Sequence, residues 1–204
     1  MKIGIDLDNT IISYDNLLYK LAVENDYLSP DIKRNKKAIR DIIRKLPEGE
    51  IKWQKFQAII YGPKINEAEL INGVSDFLKF CKNKHIKVNV ISHKTEYANY
   101  DTTGTNLRLT ALKWMEKHDF FNIDSLGLSK SDIFFESTRK EKIERIIKQR
   151  CTHFIDDLEE TFCEPAFPNN VKKILFANIN STSISNITAC NSWKEIKLNF
   201  EKHH

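Results

Sequence analysis

Residues 2–6, Lys-Ile-Gly-Ile-Asp, are a short apolar run that leads straight into Leu7-Asp8-Asn9-Thr10. The run reads as a buried strand. Asp6 and Asp8 lie two apart, and on an extended segment that spacing puts both side chains on one side. Both carboxylates therefore project together from the strand's end. Paired carboxylates repel, and burying them without compensation is unfavourable. A cation between them removes the conflict, and an oxygen-only donor set suits a hard ion such as Mg²⁺. The same residues also suit a plain Asp-Asn-Thr turn that ends a strand and caps a helix. The rest of the chain decides between the two.

Strand patterns recur at residues 86–91, 132–135, 152–155 and 172–176, each an apolar or β-branched run bounded by polar residues. Between them, apolar residues at helical spacing predict helices over 74–83, 106–117 and 140–150, with a closing helix over 193–200. Alternation of this kind predicts an open, mostly parallel, doubly wound α/β sheet of the Rossmann-like type. Ligands of such sheets sit at the carboxyl ends of the strands. Three strands here end in chemically capable groups: Asp6 with Asp8, then Ser92, then Asp156 with Asp157.

Residues 15–71 break the alternation. They predict helices over 15–27, 31–45 and 50–61 and a short helical piece over 66–70, with no strand. A crossover between parallel strands needs far fewer residues. The expected organisation is thus a core of residues 1–14 and 72–204 with an inserted helical cap, 15–71.

Composition excludes several classes. With 204 residues, 41% hydrophobic and 29% charged, the chain has the make-up of a globular domain, and a net charge of only +4 gives no strong nucleic-acid signal. The first apolar run is too short and too acidic for a signal peptide, and no stretch approaches membrane-spanning length. Cys81, Cys151, Cys163 and Cys190 form no CxxC pair and no zinc-spaced cluster with histidine, so they read as reduced packing thiols of a cytoplasmic protein.

The ordered set Asp6-Leu7-Asp8-Asn9-Thr10, Val90-Ile91-Ser92-His93, Lys140 and Phe154-Ile155-Asp156-Asp157 resembles the haloacid dehalogenase-like hydrolase superfamily, in its phosphatase branch with a helical cap between the first two motifs. The likeness extends over essentially the whole chain. It implies that Asp6 is the nucleophile, forming an aspartyl-phosphate, and that Asp8 is the general acid and then the general base. It also implies that the Asp8 backbone carbonyl ligates Mg²⁺ beside Asp6 and Asp157. Asp156 would act through water or orient the loop. Asn9 would offer its backbone N–H to phosphate, Thr10 would position the loop, and Ser92, the His93 N–H and Lys140 would bind the phosphoryl group. Arg139, Lys140 and Lys142 all lie at one helix start, and Lys140 is chosen because Ile143 follows it by three. Two features depart from the commonest pattern: Lys84-His85 stands where a glycine often ends the helix, and the loop after Ser92 is long.

Several residues have plainer readings beside the functional ones. Glu159 and Glu160 suit solvated carboxylates at a helix start. The seven Lys/Arg of residues 31–45 suit a solvated face as well as an anionic substrate. Trp53, Phe56 and Tyr61 suit cap core as well as stacking on a base or sugar. Tyr14, Asp15 and Asn16 fall at the hinge. Residues 94–105 make either a pocket wall or a surface loop.

The expected function is Mg²⁺-dependent hydrolysis of a small phosphorylated metabolite, a nucleotide or sugar phosphate. A phosphotransferase or mutase on the same fold and a non-catalytic phosphate- or partner-binding module are the alternatives. A phosphorylated signalling receiver fits less well, because it needs neither the two-apart aspartates nor a large insert.

Overall fold

The computed structural model describes residues 1–29, 36–177 and 186–202. In chain order the strands are β1 (Lys2–Ile5), β2 (Ile12–Ser13), β3 (Glu69–Leu70), β4 (Lys87–His93), β5 (Ile133–Glu136), β6 (His153–Asp156), β7 (Lys172–Phe176) and β8 (Ile187–Cys190). The helices are α1 (Asp15–Glu24), α2 (Lys36–Arg44), α3 (Gly49–Tyr61), α4 (Val74–Asn83), α5 (Leu107–Lys117), α6 (Arg139–Lys148), α7 (Glu159–Cys163) and α8 (Trp193–Glu201). Two compact units result. The first comprises Met1–Ile11, Leu70–Lys94 and Met115–His204, and the second Ile12–Glu69 with Thr95–Trp114.

The first unit is built on a six-stranded sheet in the order β5-β4-β1-β6-β7-β8. All five pairings are parallel. This is the doubly wound α/β architecture that the alternating pattern predicts. Ile5 sits opposite Val90 on one side and Ile155 on the other, so β1, β4 and β6 end at nearly the same level. Parallel register is what brings Asp6, Ser92 and Asp156 to one edge.

Gly4 makes the centre of the sheet possible. A Cβ there would lie 2.6 Å from the Phe154 ring and 3.1 Å from Cys151 Sγ. The space goes instead to a cluster that includes Ile91, Ile143, Ile146, Phe154, Phe162 and Leu175. Burying each such side chain contributes about 1.5–3 kcal/mol. Three of the four cysteines are buried. Burial pushes the Cys81 thiol up to about 12 and those of Cys151 and Cys190 up to about 11. Their place is in the packing.

In the second unit, α1, α2 and α3 pack in sequence. Leu17, Leu21, Ile39, Ile43, Trp53 and Phe56 are buried, so Trp53 and Phe56 belong to that core rather than to a stacking surface. Tyr14 meets Tyr61 edge to face at 4.6 Å. Trp114 Nε1 donates to the Ala68 carbonyl at 3.1 Å. Arg40 pairs with Asp41 and Arg44 with Glu50, so part of the basic run is spent on local surface pairs.

Some expected elements differ. The helix expected over 31–45 appears as α2; residues 31–35 lie outside the described residues. The piece expected to be helical over 66–70 is a 3₁₀ turn, Ile65–Glu67, followed by β3, which pairs with β2. Five residues are too few to sustain an α-helix alone, and strand pairing satisfies their backbone instead. Strand β8 and helix α7 are short elements with no periodic signature, held by β7 and by the core respectively. Among the described residues no helix is long and apolar enough to cross a membrane.

Candidate active site

The carboxyl ends of β1, β4 and β6 carry the candidate chemistry. Asp6 extends the β1–β6 pairing, its N–H donating to the Ile155 carbonyl at 2.9 Å. The chain then turns sharply: Asn9 is left-handed, at φ 62, a conformation asparagine tolerates better than most residues. Thr10 is fully buried. Its hydroxyl accepts from the Asp157 N–H at 3.1 Å and stands 3.4 Å from Asp157 Oδ1, while its carbonyl accepts from Trp193 Nε1 at 2.9 Å. Thr10 thus ties the turn after β1 to the turn after β6, a positioning role.

Asp6, Asp156 and Asp157 each present a carboxylate oxygen within 4.8 Å of the others. Asp156 is fully buried and accepts from the Leu158 N–H at 2.9 Å. Adjacent on the chain, Asp156 and Asp157 still both reach the cluster, because the chain leaves the strand at this point.

Lys142 lies in the middle of this group. Its Nζ is 2.6 Å from Asp6 Oδ1 and 2.7 Å from Asp156 Oδ2, and the residue is 2% exposed. Lys140, the expected phosphate-binding lysine, is exposed on α6 and makes neither contact, so the lysine of this helix that stands at the carboxylates is Lys142 and not Lys140. The reason is helix phase. Thr138 caps α6 in a capping box with Glu141, so the helix begins at Arg139. Lys142 then shares the buried face with Ile143 and Ile146. Lys140 lies two residues earlier, about 200° away around the helix. The Thr-x-x-Glu signature of residues 138–141 was the sequence signal that identifies this phase.

Asp8 projects beside the cluster and pairs through Oδ2 with Lys94 Nζ at 2.8 Å. Sequence reasoning left Lys94 in a polar loop, and nothing in the local pattern separates it from an ordinary loop charge. Ser92 is buried at the end of β4. His93 is exposed, with its ring Nε2 3.0 Å from the Ser137 carbonyl. Partial desolvation of the ring, reinforced by Lys142 and Arg139, holds its imidazole below the usual histidine range. Glu159 and Glu160 occupy the first turn of α7; Glu160 is exposed as expected, whereas Glu159 is half-buried, its Oε1 buried and without a hydrogen-bond partner among the described residues.

The site is acidic beyond its own means. Among the described residues, the ammonium groups of Lys94 and Lys142 are buried against Asp6, Asp8 and Asp156, with Asp157 in the same carboxylate cluster as Asp6 and Asp156. Burial pushes the Asp6 carboxyl up to about 7; Lys142 pulls it down, while Asp156 and Asp8 push it up. Burial disfavours the Lys142 charge, yet Asp6 and Asp156 outweigh this and hold its ammonium above the usual lysine range. Three carboxylates within reach of one another, an oxygen-only donor set, fit one hard divalent cation.

At the sequence level no protein-family model matches the chain and no curated protein matches it. Solved structures do. A predicted phosphatase from Clostridium acetobutylicum superposes with a TM-score of 0.60 at 13% identity, covering 98% of each chain. A HAD hydrolase of family IA, variant 3, from Entamoeba histolytica gives 0.59 at 12%, covering 98% of this chain and 99% of its own. A HAD-superfamily hydrolase of subfamily IA, variant 1, from Geobacter sulfurreducens gives 0.58 at 14%, covering 98% and 95%. The likeness is one of fold: a haloacid dehalogenase-like fold over nearly the full length.

Proposed function

We propose that this chain, which has the fold of haloacid dehalogenase-like hydrolases, is a Mg²⁺-dependent phosphomonoesterase acting on a small phosphorylated metabolite. The observation that carries the reading is the buried Asp6 carboxylate, 2.6 Å from Lys142 and within 4.8 Å of Asp156 and Asp157. Asp6 and Asp157, with the Asp8 backbone carbonyl, would hold Mg²⁺, and Asp156 would support them. When bound, the ion neutralises carboxylate charge and polarises a phosphate oxygen.

The chain's own residues then have distinct tasks. An Asp6 oxygen attacks phosphorus and the bond to the leaving oxygen breaks. Asp8 gives its proton to that oxygen. In the second half Asp8 takes a proton from the attacking water, and the bond between phosphorus and Asp6 breaks. Ser92, the backbone N–H groups of Asn9 and His93, and Lys142 hold the transferring oxygens, whose charge grows in the transition state.

The test is a panel of phosphomonoesters assayed with Mg²⁺ and with EDTA. Phosphate release that stops with EDTA and returns with Mg²⁺ is the expected result. Release that survives chelation rejects the scheme.

A pH dependence follows from the Asp6 shift. In the metal-free protein Asp6 keeps its proton up to about pH 7, well above the ordinary 3.8. Mg²⁺ must displace that proton, so its affinity rises by about tenfold per pH unit below 7 and levels off above. The metal-free fold loses stability as pH rises from about 4 through 7, because the unfolded chain releases the proton first. Calorimetric Mg²⁺ titrations at pH 6 and 8 check the sign; equal affinities at both would contradict it.

A further inference from the structure

We propose that Lys94 is a positioning residue that acts through Asp8, fixing its carboxylate for proton transfer; the proposal rests on the phosphomonoesterase reading above. Lys94 follows β4 directly, and its backbone N–H donates to the Glu136 carbonyl at 2.9 Å, extending the β4–β5 pairing. The backbone at this point is therefore as fixed as the sheet. The side chain is 3% exposed and its Nζ lies 2.8 Å from Asp8 Oδ2. Asp8 itself is 19% exposed at the side chain, and the oxygen that Lys94 anchors is Oδ2.

Burying an ammonium group is unfavourable unless it is paired. A lysine at the end of a central strand, turned inward, is therefore committed to the acid it meets. That acid is the one residue of the cluster assigned both proton transfers. Asp8 lies on a turn whose next residue is left-handed, and a carboxylate on a short turn has more than one rotamer within reach. The Lys94 contact selects one. Lys142 cannot substitute for it, because Lys142 is already shared between Asp6 and Asp156. The two buried lysines thus divide the site: Lys142 serves the nucleophile, and Lys94 serves the proton carrier.

The test uses p-nitrophenyl phosphate with Mg²⁺, following nitrophenolate in the first turnover and at steady state. An aryl leaving group needs little help from an acid, whereas hydrolysis of the aspartyl-phosphate needs Asp8 as base. Lys94→Met should therefore still phosphorylate Asp6, giving nitrophenolate and acid-stable phosphoprotein near one per enzyme. Its steady-state turnover should fall about 100-fold, the scale of a positioned base, with KM changed little. Lys94→Arg should recover most of the loss, and in an Asp8→Asn background Lys94→Met should add little. Lys94→Gln carries the same test if the Met variant is insoluble. Turnover equal to wild type, or a first-turnover amplitude that falls in step with the steady-state rate, overturns the role of Lys94. Failure of the wild-type protein itself to turn over any phosphomonoester overturns the parent reading instead.

Discussion

Asp6→Asn lowers phosphate release by on the order of 10⁴-fold or more, the scale of losing a covalent nucleophile, while the protein stays folded. Asparagine keeps the volume of the side chain and an acceptor oxygen for Lys142, 2.6 Å away in the native site. What it removes is the charge and the oxygen that captures phosphorus. The same substitution relieves an electrostatic conflict. Burial, Asp156 and Asp8 push the Asp6 carboxyl up to about 7 against the pull of Lys142, so at pH 8 the metal-free native protein carries a charge that its surroundings resist. The neutral variant escapes this, and its metal-free denaturation midpoint at pH 8 should equal or exceed that of the wild type. Steady-state assays, trapping of labelled phosphoprotein and urea unfolding together check the prediction. An active Asn variant removes Asp6 from the nucleophile's role.

Lys142→Met should be damaging twice over, and Lys140→Ala almost silent. Methionine matches the length of the lysine stem but leaves Asp6 and Asp156 facing each other with no ammonium between them. Removing one partner of a buried ion pair costs about 3–5 kcal/mol, and losing one donor to the transferring phosphoryl group costs about 10²–10³ in rate. Mg²⁺ should restore part of the stability, since a divalent ion can supply the missing positive charge, but little of the rate. Lys140 is exposed, and its truncation should change stability by less than about 0.5 kcal/mol. Parallel urea titrations and turnover measurements on the two variants decide the matter. Greater damage from Lys140→Ala than from Lys142→Met would restore the lysine that the Ile143 spacing favoured.

These two lysines also show how far local pattern reaches. The apolar runs that become β1, β4, β5, β6 and β7 are visible in the chain, as are the helical stripes of α4, α5 and α6. So are the two acids that follow β1, although Asp6 joins the carboxylate cluster with Asp156 and Asp157 while Asp8 pairs with Lys94. Gathering Asp6, Ser92 and Asp156 at one edge follows from a parallel sheet with helical crossovers. Helix phase is readable too, from Thr138 and Glu141, although spacing to a single isoleucine points two residues astray. Other features leave no trace in a short window. Strand β8 and the β2–β3 ribbon are stabilised by neighbours far away in sequence. Residues 95–114 group with 12–69 although α4 and β4 lie between them in the chain.

Composition and periodicity dictated the α/β alternation and the acidic strand ends, because those depend on backbone geometry repeating every two or 3.6 residues. Which ammonium group meets which carboxylate came from assembly alone. Lys142 reaches Asp6 across 136 residues, and Lys94 turns in to Asp8 from the end of a neighbouring strand. Such contacts exist only once sheet register and helix packing have placed both partners in a common, largely buried site, where an unpaired charge would be too unfavourable to keep.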